Sequence, residues 1–432
     1  MTKSLKKSFG ILFLATILSK GVGFMREMVL ASKFGASNEF DILLTVFVVP
    51  NMIVSLLLYA IPHIIIPRLD LSEKSNQNFY SNFSKQFFWP YVFFLIFILA
   101  LYNLLFYIYI TFFIPTEFQD YRELIINLTI VFSIFAFFSS LFNIFKAVYN
   151  AKNEFTLPAF TPLLIHFSVI TSVLFMYEEY GVYSFGLGLL FGSVLQILVY
   201  VYDLKRKEIA VFFKFSMQYE KVFTSAYIII LAIELLGQSF TLIDRSFISS
   251  LPEGHISSLY YAGILNNLPV TILGLTAGTI LFPRISLYVQ EKRFLELKKV
   301  LYKGFLFSLG IAIPFVLLFS FFGKLLITLM FERGAFSSST SEITSNYLTA
   351  LSFGLPFIFL HVLLAKLCFA LHQEKILLLS TLAAVGIKIC LSSVFVSADY
   401  YWGLALSTSI SFFFNVIMIG SIFYKNRNRL FA

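Results

Sequence analysis

Four carboxylates, Glu27, Asp41, Glu234 and Asp244, and six bases, Lys20, Arg26, Arg245, Lys324, Lys366 and Lys388, interrupt long apolar runs of this 432-residue sequence. A charge embedded among apolar side chains costs about 3 kcal/mol even on the mildest scale, so it faces a water-filled cavity or an opposite charge. In the first run the seven-residue step from Lys20 to Glu27 returns to nearly the same helix face, with Arg26 beside it, which makes one face wet. The competing reading places Arg26 and Glu27 near the end of the run, where they snorkel to the interface. Glu234 and Asp244 are separated by about 80° around a helix and can line one cavity. The adjacent pair Asp244-Arg245 fits either a clasp between helices or a substrate contact through Arg245. Asp41 follows the turn Gly35-Ala36-Ser37-Asn38, where it serves as a helix start that complements the dipole or as a substrate contact. The expected substrate-binding residues are therefore Lys20, Arg26, Glu27, Asp41 and Arg245. Glu234 and Asp244 are the expected positions for a proton or sodium step.

Other chemistry is poorly provided for. His63, His166 and His361 lie in three different apolar runs without a His-x-x-x-His step or an acidic neighbour, and read as structural. Cys368 and Cys390 form no CxxC pair and read as packing residues. There is no GxxxxGK, GxSxG or HExxH motif and no long polar loop with paired carboxylates. An ATP-driven pump and a membrane glycosyltransferase are disfavoured, and no catalytic residue, metal or cofactor is expected apart from Na+ or H+ coupling.

The elements that must position these residues follow from composition. Hydrophobic residues make up 59% of the chain and charged residues 13%, with a mean hydropathy of +0.85, which is a composition for lipid rather than water. The net charge of +9 does not point to nucleic acid, because the basic residues are scattered between apolar runs instead of gathered on one face. A bilayer core takes roughly 20 apolar residues per helix. Runs of that length are expected at 9–32, 41–67, 87–113, 123–148, 156–177, 182–203, 222–249, 257–287, 302–330, 344–372, 375–396 and 401–424. On this parse 23 of the 32 Lys and Arg fall on the amino-terminal side and three, Lys33, Arg122 and Arg333, on the other. Cytoplasmic loops carry the basic excess, so both termini are expected in the cytoplasm. The start, Met1 to Leu18, resembles a signal peptide, but Lys20 and Arg26 stand where a cleavage site would be needed, so an uncleaved first helix is expected.

The basic segment 205–221 separates six runs from six, giving an amino-terminal lobe at 1–204 and a carboxy-terminal lobe at 222–432. The halves repeat. Arg26 precedes Pro50 by 24 residues as Arg245 precedes Pro269, and the same offset maps Gly35 onto Gly254. Ile66-Pro67-Arg68 and Phe282-Pro283-Arg284 then end the second run of each half. Two such repeats pack around a central cavity in carriers. Pro50, Pro62, Pro67, Pro269 and Pro283 are expected to break their helices and serve as bending points.

Ser19-Lys20-Gly21-Val22-Gly23-Phe24-Met25-Arg26-Glu27, then Ala31, Phe34-Gly35-Ala36, Asp41 and Pro50-Asn51, resembles the opening of the MurJ (MviN) lipid II flippases. Leu251-Pro252-Glu253-Gly254, Tyr260-Tyr261-Ala262, Pro269, Gly278-Thr279, Pro283 and Phe331-Glu332-Arg333-Gly334-Ala335-Phe336 are similar to the same family in the same order. The resemblance implies an all-α polytopic membrane fold of about twelve helices in two six-helix lobes, related by a pseudo-two-fold and like that of the multidrug/oligosaccharidyl-lipid/polysaccharide exporters. It also implies a V-shaped cationic cavity for a pyrophosphate-linked sugar, with Lys20 and Arg26 at two of the family's cavity-arginine positions. Where the family has an Arg pair after Pro-Asn this chain has Val54-Ser55, and Gly263-Ile264 replaces the Asp-Arg after Tyr-Tyr-Ala. Arg245 is a candidate replacement. The family's last two helices have no counterpart after Tyr424-Lys425, so a different path for the lipid tail is expected.

The expected function is that of a flippase moving lipid II or an O-antigen or capsule-type unit across the cytoplasmic membrane by alternating access, with cell-envelope biosynthesis enzymes as partners. A cation-coupled multidrug exporter and a non-transporting scaffold for envelope polysaccharide synthesis are the alternatives.

Overall fold

The computed structural model describes residues 3–65, 76–112, 116–152, 154–209 and 225–425, and every regular element among them is helical. In chain order these are α1 (Lys3–Phe34), α2 (Asn38–Ile65), α3 (Asn76–Phe83), α4 (Trp89–Phe112), α5 (Arg122–Ala151), α6 (Thr156–Phe160), α7 (Pro162–Tyr180), α8 (Tyr183–Arg206), α9 (Ser225–Ser246), α10 (His255–Pro269), α11 (Leu275–Gln290), α12 (Phe294–Phe331), α13 (Ser338–Ser352), α14 (Leu355–Ala370), α15 (Glu374–Ser397) and α16 (Gly403–Lys425). A helix satisfies its backbone N–H and C=O groups within one segment, which is what lets a chain cross lipid. Phe97 and Phe112 on α4, and Phe321 and Leu329 on α12, stand exposed, giving an apolar surface that a bilayer covers and water penalises.

Among the described residues eight stretches are long and apolar enough to span a bilayer, or nine if α13 and α14, bent by 44° at their junction, form one broken span. The expected twelve are not reached on that criterion. The runs outside it are α1, α9 and the α10–α11 pair, and α1 and α9 are the helices that carry Lys20, Arg26, Glu27, Glu234, Asp244 and Arg245.

Three expected runs are broken by their own sequence. Pro162 opens α7 just after α6, at a helix start where its missing N–H costs nothing. Pro269 closes α10 into a π-helical stretch, Val270–Gly274. Gly354 and the Pro356 that follows it separate α13 from α14. By contrast Pro50 and Pro62 lie inside a continuous α2, and Pro283 inside a continuous α11, so these three do not break their helices as expected. Pro67, and residues 210–221 of the expected linker, lie outside the described residues. The linker's start is tied down: Lys207 pairs with Asp203 at 2.7 Å and Glu154 at 2.5 Å. Partial burial works against its charge, but these two carboxylates outweigh that and hold its pKa above the ordinary lysine value.

The chain divides into two compact units, Met1–Phe34 with Val46–Leu231, and Gly35–Thr45 with Ala232–Ala432. The first has an aromatic core in which Tyr200 packs edge-on to Tyr149 at 4.9 Å and stacks with Phe145 at 5.8 Å. Its helices α7 and α8 touch through small residues: a Cβ on Gly192 would lie 2.6 Å from the Ile165 Cα, so only glycine allows that approach. In the second unit Tyr261 gathers Phe40, Phe331 and Phe336 around it.

Candidate functional site

In the first unit the chemistry gathers on α1. Arg26 donates through Nε to Glu27 Oε1 at 3.0 Å, and its Nη2 reaches the same oxygen. Both side chains are largely withdrawn from the surface, at 18% and 6% exposure, so the pair is a buried clasp as well as a source of charge. Lys20 is exposed on the same helix. One turn from Lys20, Gly23 leaves room for the imidazole of His166 on α7, whose ring atoms lie 3.2–3.3 Å from where a Cβ would stand. Lys20 and Arg26 both act electrostatically on that ring, and its Nδ1 is buried without a hydrogen-bond partner among the described residues. Lys20, Arg26 and His166 therefore form one basic neighbourhood. In the sequence alone His166 reads as structural. The signal for more was the glycine at position 23, which only a contact across helices makes meaningful.

In the second unit two sequence-selected residues, Asp41 and Arg245, surround the start of α10. Asp41 accepts from the Gly254 N–H at 2.8 Å, from the Ser257 N–H at 2.6 Å and from the Ser257 hydroxyl. Its carboxylate thus caps α10 from another helix, where the free N–H groups and the positive dipole end favour an anion. Its own helix is capped by the Ser37 hydroxyl, which accepts from the Phe40 N–H at 3.3 Å. Gly254 can offer its N–H because it adopts φ +81°, and a Cβ there would lie 2.7 Å from the Ala36 carbonyl oxygen. Arg245 is 5% exposed, donates through Nη1 to the Ile256 carbonyl at 2.9 Å and feels the charge of Asp41. Asp41, Arg245 and the first turn of α10 make one buried assembly.

The neighbouring Asp244 points elsewhere and pairs with Lys388 of α15. Glu234, half-buried on the same helix, has the Lys366 charge as its electrostatic neighbour and joins neither assembly. Among the described residues no group of three His, Cys, Asp or Glu side chains is placed to hold a metal. Lys388 was visible in the sequence as an intramembrane base, but nothing local joined it to Asp244, 144 residues away.

A family model described as "Lipid II flippase MurJ" matches residues 30–431. A probable lipid II flippase MurJ of Buchnera aphidicola subsp. Acyrthosiphon pisum is 25% identical over 428 residues, covering 96% of this chain and 83% of the relative. Among solved structures, a lipid II flippase MurJ in an inward closed conformation superposes with a TM-score of 0.76 at 21% identity, covering 97% of this chain and 88% of that one. An inward-facing multidrug resistance MATE family transporter of the MOP superfamily gives 0.68 at 13% identity, covering 95% and 94%. At such identities these two likenesses speak for the fold.

Proposed function

Because the chain belongs to the lipid II flippase MurJ family, we propose that it carries a polyprenyl-diphosphate saccharide across the cytoplasmic membrane by alternating access. Lipid II is the first cargo to test and an O-antigen or capsule-type unit the second. The observation that carries this reading is the family match over residues 30–431. The basic neighbourhood of Lys20, Arg26 and His166 supports it, since cations in a low-dielectric site pair strongly with phosphate oxygens. In this reading Glu27 orients the Arg26 guanidinium. Asp41 and Arg245 hold α10 in the present conformation and meet the headgroup only once released from it.

The protein is a multi-pass inner-membrane protein. Its termini are proposed to face the cytoplasm on the distribution of Lys and Arg, and cell-envelope biosynthesis enzymes are its proposed partners. The drive is proposed to be the membrane potential acting on the charged headgroup, or Na+ or H+ at Glu234 or Asp244.

The test is headgroup translocation of fluorescent lipid II and of an O-antigen-type precursor in proteoliposomes. Wild type is compared with Arg26→Ala and with Arg26→Ala/Glu27→Gln, the second removing the carboxylate that the first leaves unpaired. Flipping by wild type that falls at least tenfold in both variants supports the reading. Recovery in the double variant would reduce Arg26 to a partner for Glu27, and failure of wild type on both lipids would sink the flippase for those cargoes.

A further inference from the structure

Lys388 has no exposed surface, and an ammonium taken out of water persists only where its donors and charge are met. They are met completely. Its Nζ, with three N–H donors, has four oxygens within hydrogen-bond distance: the Leu404 carbonyl at 2.7 Å, the Thr408 hydroxyl at 2.8 Å, the Ser407 hydroxyl at 3.1 Å, and the Asp244 carboxylate. The acceptors come from α9 and from the first turns of α16, while the ammonium comes from α15. The oxygens are themselves held: the Ser407 and Thr408 hydroxyls each reach the Leu404 carbonyl, and the Ser392 and Ser407 hydroxyls lie 2.9 Å apart. One carboxylate, one carbonyl and two hydroxyls converging on a point from which water is excluded form the donor set of a small dehydrated cation. The cation found there is a lysine on a four-carbon tether.

We infer that Lys388 is a built-in cation filling a monovalent-cation cage made by Asp244, Leu404, Ser407 and Thr408, so that the charge neutralising Asp244 does not exchange with Na+. This refines the coupling step of the proposed transport and rests on that reading for its consequence: an ion-coupled step has Glu234 left to it, and Asp244 is a fixed strut. The cage itself exists or does not exist regardless of what the chain carries.

The experiment measures equilibrium binding of radiolabelled Na+ and thermal unfolding in NaCl against choline chloride at equal ionic strength, on purified full-length protein. The variants are wild type, Asp244→Asn, Lys388→Arg, Lys388→Met and Lys388→Met/Asp244→Asn. Wild type, Asp244→Asn and Lys388→Arg are expected to show the same Na+ binding, so that any sodium they hold lies elsewhere. Lys388→Met is expected to gain saturable Na+ binding and a Na+-dependent rise in melting temperature of about 2 °C or more at ten times the half-saturating concentration. Both gains should vanish in the double variant. Lys388→Ser, which is smaller and adds a hydroxyl, takes its place if Lys388→Met does not accumulate, with the same two outcomes. Sodium binding by wild type that Asp244→Asn removes would overturn the inference, as would a folded Lys388→Met that binds no more sodium than the double variant. These readouts need no transported lipid, so their failure is separate from failure of the flippase reading.

Discussion

Arg26 takes its partner from the next residue, whereas Asp41 takes its partners from more than two hundred residues downstream. That difference explains what could be read of the site. Intramembrane charges announce themselves by their cost, so Lys20, Arg26, Glu27, Asp41, Glu234, Asp244 and Arg245 stand out in the sequence alone. Their pairing does not, because nothing in the local sequence says that Asp41 closes on Ser257 or Asp244 on Lys388. Hydrogen bonds to a charged group contribute about 1.5–3 kcal/mol each, so Asp41→Asn is expected to destabilise the second unit by about that amount. Ser257→Ala added to it should cost less than Ser257→Ala alone, since the Ser257 hydroxyl bond ends on the Asp41 carboxylate and both changes act on that one bond. Thermal unfolding of the two single variants and the double variant checks this. Full additivity would mean that the carboxylate and the serine act independently.

The helices were the most legible part, because apolar runs of bilayer length need no tertiary information. Their interruptions were less so: proline alone did not separate the continuous α2 and α11 from the broken α10, since neighbouring packing decides whether a proline is absorbed. Glycine carries element-scale information of the same kind. Gly192→Ala is expected to force α7 and α8 apart and to cost about 1–3 kcal/mol by overpacking. Gly237→Ala, where nothing lies within 4 Å, should be close to neutral. Gly254→Ala meets the Ala36 carbonyl at φ +81° and loses about 1–3 kcal/mol to backbone strain, more if Ala36 cannot yield. Protease resistance of the three variants in detergent ranks them. Equal resistance for Gly192→Ala and Gly237→Ala would refute the close approach.

For the whole molecule, the distribution of Lys and Arg predicts that cysteines placed in the amino-terminal segment and after Tyr424 are both labelled from the cytoplasmic side. Labelling of either one from the outside would reverse the orientation. Acid should weaken the second unit in two separate ranges. Burial lowers the pKa of His255, the first residue of α10, so the stability it confers is complete above its ordinary value near about 6.5 and is lost as pH falls below that. Bonds from Ser341 and Thr328 lower the pKa of Glu332, whose contribution is complete above about 4.3 and is lost at lower pH still. His255→Gln should remove the upper range and leave the lower, as read by unfolding temperature against pH. The division into units also sets a schedule. Residues 35–45 count with the second unit although they are made before nearly all of the first. At about 5–20 residues per second, the 213 residues from Asp41 to Gly254 take on the order of 10–40 s to synthesise. For that interval the Asp41 carboxylate waits in the nascent chain without the helix start it will cap, so a ribosome stalled within this stretch leaves an acidic group at the membrane with no native partner yet made.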